Sequence, residues 1–83
     1  MKLRFEKVSD ANEDYCHMDV FYEDNRMAFM DVSVSEDKKP QFNLYERNDL
    51  LLLSFEEWNT ILGKAEEFTR KEIENEDSFR KFL

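Results

Sequence analysis

Two neighbouring segments of this chain alternate between apolar and polar residues, and this alternation constrains the fold more than any other feature. It runs through residues 15–23 and 26–34, with Asp24 and Asn25 between them. Successive side chains of a strand point to opposite faces, so a period of two predicts two strands. Asp and Asn tolerate the left-handed backbone that tight turns need. The pattern therefore predicts a β-hairpin.

Further strands are predicted on both sides of this hairpin. Residues 2–8 and 41–46 also alternate, and the all-apolar run 50–53 is expected to form a short buried strand. Polar loops separate these segments, and Pro40 closes one of them because it cannot donate a hydrogen bond to a strand ladder. The chain therefore reads as an antiparallel meander of four to five strands.

A helix is predicted to follow the last strand. Ser54 and Glu57 have the spacing of a capping box, in which each side chain accepts a hydrogen bond from a free backbone N–H at the helix start. Residues three and four apart then form one apolar stripe: Phe55, Trp58, Ile61, Leu62, Ala65, Phe68 and Thr69. We expect this stripe, with Trp58 buried in it, to cover one face of the sheet.

The predicted fold is an α+β single domain, in which one long amphipathic C-terminal helix packs on one face of the antiparallel sheet. Within residues 1–83, the sheet takes 1–53, the helix 54–76 and a C-terminal extension 77–83. This extension either lengthens the helix or folds back as a terminal turn. A chain of 83 residues leaves little room for a pocket in addition to a core.

The excess negative charge lies in the first half of the chain. Residues 6–37 contain ten acids and two bases, which accounts for the whole net charge of −8. Strand-forming and aromatic residues are interleaved with these acids, so the segment is not a solvated acidic tail. A negative sheet surface attracts cations and repels phosphates. We therefore expect a basic protein partner and no nucleic acid.

The face of the sheet away from the helix is the predicted contact surface. Alternation places aromatic and acidic residues there, and the hairpin turn adds two more acids. The predicted partner-binding residues are Tyr15, His17, Asp19, Phe21, Glu23, Asp24, Phe29, Asp31 and Tyr45. The aromatics among them either anchor a partner, or one or two of them simply cover the sheet edge or pack under the C-terminal segment.

Catalytic and metal-binding signatures are weak. Cys16 and His17 are adjacent, so on a strand they point to opposite faces and cannot act together. His17 and Asp19 share a face, but two ligands are too few for a zinc site. Gly63 is the only glycine, which argues against a phosphate-binding loop. The sequence therefore predicts no enzyme activity, no cofactor and no metal.

A cytoplasmic location is expected from three features. There is one cysteine, the first eight residues are too charged for a signal peptide, and the longest apolar run, 50–53, is too short to span a bilayer. We expect no association with membranes. The choice between monomer and homodimer stays open.

Two families share features with this chain. The acidic run EDYCHMDVFYEDNRMAFMDVSVSED, followed by FNLYERNDLLLLSFEEWNTILGKAEEF, resembles small acidic bacterial immunity proteins, the antitoxins of polymorphic or contact-dependent toxin systems. That resemblance implies a basic toxin nuclease as partner. The segments PQFNLYE, LLLS and FEEWNTILGKAEEF resemble the end of single-stranded DNA-binding proteins of the positive cofactor 4 type. That second resemblance implies a nucleic-acid-binding module, although this chain carries acids where that group has a basic β-surface.

Overall fold

The protein is a four-stranded antiparallel sheet covered on one face by one helix. The computed structural model describes residues 2–9 and 14–81, with the side chains of those residues up to Glu76. The elements are β1 (Leu3–Val8), β2 (His17–Tyr22), β3 (Met30–Val34), β4 (Pro40–Leu44) and α1 (Phe55–Lys81). The strands lie in the order β1-β2-β3-β4, each antiparallel to its neighbours. The predicted α+β meander with a C-terminal helix is confirmed.

The alternation of each strand separates an apolar face from a polar one. On the apolar face, Met18 and Val20 of β2 lie beside Met30 and Val32 of β3, and all four are buried. The helix covers them with Ile61, Ala65 and Phe68, which belong to the same core. The spacing of these three helical residues is the one predicted for the stripe.

The hairpin between β2 and β3 is longer than predicted. β3 begins at Met30 rather than at residue 26, and the left-handed residue of the turn is Glu23, with φ 56°, instead of Asp24 or Asn25. Phe29 donates its backbone N–H to the carbonyl of Val20, which is also paired with Met30. Two consecutive residues therefore lie opposite one, as in a β-bulge, and the bulge interrupts the alternation before β3.

The start of the helix agrees with the sequence signal. The Ser54 N–H donates to Glu57 Oε1 and the Glu57 N–H donates to Ser54 Oγ, both at 3.0 Å, so the capping box is confirmed. The helix ends at Lys81, five residues beyond the predicted end at 76. Of the two alternatives for the C-terminal extension, residues 77–81 follow the first. Phe82 and Leu83 lie outside the described residues.

The first turn of the helix does not lie over the core, which corrects two predictions. Phe55 is 80% exposed and Trp58 is 37% exposed, although both were expected to be buried. The helix starts beside β4, the edge strand of the described sheet, where the Trp58 and Phe42 ring centroids are 6.0 Å apart. It then crosses to β1, where Lys64 lies over the ring of Phe5. The first turn therefore overhangs the edge of the sheet.

The segment before the helix is also more exposed than predicted. Residues 50–53 form no strand, and Leu50 and Leu52 are largely exposed, whereas Leu51 and Leu53 pack against the core. An all-apolar run that connects β4 to an overhanging helix start has the sheet on one side only. Half of its side chains therefore face away from the core.

A buried carboxylate fixes the later part of the helix to the sheet. Glu72 Oε2 lies 2.9 Å from Lys7 Nζ, and Glu72 Oε1 accepts a hydrogen bond of 2.8 Å from the backbone N–H of Cys16. Burial opposes ionisation of Glu72, but the ion pair and this hydrogen bond outweigh burial and lower its pKa. The helix is 27 residues long but not apolar enough to cross a membrane.

Candidate functional site

The face of the sheet opposite the helix, called the open face below, carries three carboxylates in one row. Glu6 of β1 is paired with Asp19 of β2, Asp19 with Asp31 of β3, and Asp31 with Asn43 of β4. Like charges placed directly opposite each other on neighbouring strands destabilise a sheet. The acid row, defined as Glu6, Asp19 and Asp31, therefore costs stability that the fold alone does not require.

Each carboxylate of the acid row has a polar side chain beside it. The guanidinium Nε of Arg4 lies 3.5 Å from Glu6 Oε1, and His17 Nε2 lies 3.4 Å from Asp19 Oδ1. The Tyr45 hydroxyl donates a hydrogen bond of 2.6 Å to Asp31 Oδ2. These groups reduce the repulsion within the row, but the Arg4 contact lies at the solvent-exposed edge and is weak.

The Tyr45 hydroxyl donates its hydrogen bond to the acid row in its protonated form. Partial burial, the hydrogen bond to Asp31 and the negative charges of Asp31 and Asp19 all raise the pKa of the Tyr45 hydroxyl above its ordinary value. The hydroxyl therefore stays protonated at physiological pH and holds the Asp31 carboxylate in place.

One oxygen of the acid row lacks a hydrogen bond. Asp19 Oδ1 is buried and accepts none from the described residues, because the 3.4 Å separation from His17 Nε2 does not have hydrogen-bond geometry. A buried carboxylate oxygen without a donor is costly, since it has lost its water and gained no replacement.

An open groove with a volume of about 950 Å³ lies at the end of the open face where β2 begins. Four acids line it: Asp14, Asp31, Glu36 and Asp37. No lysine or arginine of the described residues lines this groove, although Lys38 and Lys39 follow in the same loop. The acid row and this acidic groove share Asp31 and form one continuous negative surface.

The structure brings together some of the predicted contact residues. His17, Asp19, Asp31 and Tyr45 meet on the open face. Glu23 and Asp24 lie in the turn at the opposite end of β2 from the acidic groove, and Glu23 forms an ion pair with Lys2 at 3.0 Å. Those two acids are therefore separate from the site.

Two of the three predicted aromatic anchors, Phe21 and Phe29, are buried, and of these two only Phe21 lies on the open side of the sheet. Phe29 is 2% exposed and belongs to the core, because the bulge before β3 turns it away from the alternation predicted for residues 26–34. Phe21 is buried under the Arg4 guanidinium, which lies 4.3 Å from its ring centroid. Tyr15 precedes β2, and its hydroxyl donates to the Glu76 carboxylate of the helix. The side chains of Phe21 and Phe29 are therefore buried where the sequence predicted them to be free, and a partner contact at either residue stays a prediction.

Sequence reasoning missed Glu6 and the groove acids other than Asp31. The sequence contains a signal for the position of Glu6, because residues 2–8 alternate and place it on the face opposite Leu3 and Phe5. Asp14, Glu36 and Asp37 lie in connections, where no periodicity shows which way a side chain points. The antiparallel pairing of β2 with β3 places the 35–39 loop, which follows β3, beside the start of β2.

No family model, curated protein or solved structure matches this chain. The open face is therefore the basis for a proposed function.

Proposed function

We propose that this protein is a non-catalytic binding protein that neutralises a basic protein partner through its open face. The observation that carries this proposal is the continuous negative surface, in which three carboxylates stand in one row beside a groove lined by four acids. Arg and Lys side chains of a partner would replace the repulsion within this surface by charge-assisted hydrogen bonds. An arrangement that costs stability in the free protein becomes favourable in the complex.

The contact is proposed to be mainly polar, since Phe21 and Phe29 are buried. Polar and charged contacts of this kind act chiefly on the association rate and on specificity. A field of one sign raises the rate of encounter with an oppositely charged partner at low salt, and salt screens the effect. Binding should therefore weaken steeply as ionic strength rises.

The finer proposal is an immunity protein that blocks a toxin nuclease. A nuclease has a basic cleft for the phosphates of its substrate, and a row of carboxylates spaced along a rigid sheet is a suitable substitute for those phosphates. This role needs no catalytic group, cofactor or metal in the inhibitor. The same charge argues against the single-stranded nucleic-acid-binding alternative, because the open face would repel phosphates.

The proposal is tested by one charge reversal in the groove and one matched reversal on the helix. Glu36→Lys changes the groove, whereas Glu66→Lys makes the same change in net charge on the exposed side of α1. A short fluorescent Arg-rich peptide serves as the probe, titrated at low and at physiological salt. We expect Glu36→Lys to lower the affinity by about tenfold or more and Glu66→Lys to lower it much less. Equal losses would show that only net charge matters.

The identity of the partner tests the finer proposal. The wild type, Glu36→Lys and Glu66→Lys are immobilised in parallel and exposed to a lysate of the source cells. A basic nuclease retained by the wild type and Glu66→Lys, released from Glu36→Lys and inhibited at equimolar protein would support the immunity role. A basic partner without nuclease activity would contradict it, and retained nucleic acid would favour the alternative.

A further inference from the structure

Three potential metal ligands converge on the open face from two strands. Donor atoms of His17, Asp19 and Asp31 all lie within 4.8 Å of one another. β2 alone supplies two of these ligands, which is why the sequence predicted no metal site. The pairing of Asp19 with Asp31 adds the third. We propose that His17, Asp19 and Asp31 bind a divalent transition-metal ion, with Zn²⁺ as the ion that this donor set fits.

The distance between the first two ligands fits a metal better than it fits a hydrogen bond. His17 Nε2 and Asp19 Oδ1 are 3.4 Å apart, and the oxygen is buried with no hydrogen bond from the part of the chain that the structure describes. Two ligands of a tetrahedral Zn²⁺ ion, each roughly 2 Å from the metal, are separated by about 3.3 Å. An ion between these two atoms would complete the coordination of the buried oxygen.

The surroundings of Asp31 also suit a ligand. Tyr45 donates to Oδ2 of Asp31, and an outer hydrogen bond of this kind orients a ligating carboxylate. A dication would also neutralise the charges of Asp19 and Asp31, which face each other across the strand pair. One imidazole nitrogen and two carboxylate oxygens leave at least one coordination position for water, as in open zinc sites.

The donor set predicts which ions bind. Imidazole suits Zn²⁺ and other late transition metals, whereas Mg²⁺ prefers an environment of oxygen ligands and retains its water. A site built on His17 should therefore discriminate against Mg²⁺, and a merely acidic surface should not. This inference does not depend on the proposed partner, because Zn²⁺ binding is measured on the free protein.

The test is calorimetric titration of the full chain, stripped with a chelator, with Zn²⁺ and separately with Mg²⁺. We expect one Zn²⁺ ion per chain at micromolar concentrations and no Mg²⁺ binding in the same range. His17→Ala and Asp31→Asn should each weaken Zn²⁺ binding by at least about tenfold, since even the loss of an outer-shell partner costs that much. Asp37→Asn, a groove acid with the same change in charge as Asp31→Asn, should leave the affinity within about twofold.

Two further measurements distinguish Zn²⁺ binding at this site from misfolding of the variants and from Zn²⁺ binding by the Cys16 thiol. His17 is the only histidine, so its imidazole NMR signals report Zn²⁺ binding in the wild type without any substitution. Cys16→Ser should bind Zn²⁺ as the wild type does. Loss of binding in Cys16→Ser, unmoved His17 signals, or equal binding of Mg²⁺ would each overturn the proposal.

Discussion

The two faces of the sheet are built from neighbouring residues, but they have opposite effects on the stability of the fold. Met18 and Val20 of β2 point to the helix and are buried against Ile61, whereas His17 and Asp19 point away from it. The covered face gains stability from apolar burial. The open face holds carboxylates opposite each other and a buried oxygen that has no donor among the described residues. The contribution to stability explains why the covered face is apolar, but it does not explain the carboxylates of the open face.

This difference supports the proposal that the open face is the functional surface. Many polar residues could occupy the solvent side of a sheet at no cost, and Thr or Lys beside an acid would stabilise it. A row of acids instead costs stability, and unfavourable arrangements of this kind are typical of functional sites. Both proposals for this protein, a basic partner and a metal ion, assign a cation to the same unfavourable row.

The largest predicted effect compares two aromatic residues on the covered side. Phe29→Ala should lower the free energy of unfolding by about 3–5 kcal/mol, because it leaves a cavity in the core. Trp58→Ala should lower it by only about 1–2 kcal/mol, because this ring at the edge of the sheet is partly exposed and loses less buried area. Urea unfolding followed by far-UV circular dichroism measures both, since Trp58 is the only tryptophan.

The ratio of the free-energy losses of Phe29→Ala and Trp58→Ala shows whether the first turn of the helix packs on the core. Domains of this kind are stable by only about 5–15 kcal/mol, so Phe29→Ala should leave the chain close to unfolding. If Trp58→Ala costs as much as Phe29→Ala, the helix start packs on the core and does not overhang β4.

These two residues also show how far the sequence could predict the fold. The period of two gave the strands and their order, and Ser54 with Glu57 gave the helix start, because these signals are local. Phe29 was misplaced because a bulge depends on hydrogen bonds to Val20, which no periodicity records. Trp58 was misplaced because a stripe shows which side of a helix is apolar but does not show where the sheet beneath it ends.

The candidate site was predictable to the same limited extent. Alternation placed His17, Asp19 and Asp31 on one face, and the structure agrees. The alignment of Asp19 and Asp31 in a row with Glu6 depends on the register between strands, which is fixed by pairings distant in sequence. The metal-binding geometry therefore could not be read from β2 alone.

A smaller effect should come from Glu72, which joins the covered side to β1 and to the segment before β2. Glu72→Gln keeps an acceptor for the Cys16 N–H but removes the charge that pairs with Lys7. We expect a loss of about 1–3 kcal/mol at neutral pH. Glu74→Gln is the control, because its pair with Arg70 is exposed and should contribute about 0.5 kcal/mol or less.

The Glu72 effect should depend on pH in a defined direction. Its pKa in the folded protein is below the ordinary value of 4.5, so its stabilising contribution is complete above that value. The contribution is lost as the pH falls through the folded pKa. The difference between wild type and Glu72→Gln should therefore be largest near neutral pH and should shrink in acid. A difference that is constant from neutral pH into strong acid would show that the ion pair does not form.

The smallest predicted effect has the opposite sign and concerns the open face. Asp19→Asn removes the central charge of the acid row, so it should raise the free energy of unfolding by a few tenths to about 1 kcal/mol in the presence of a chelator. Asp24→Asn changes the net charge equally but lies in the turn after β2, outside the row. If both substitutions stabilise the protein equally, the cause is the net charge of −8 rather than the row. If Asp19→Asn destabilises it, the contact with His17 is worth more than the repulsion from Glu6 and Asp31, and the open face would then resemble the covered face in serving stability.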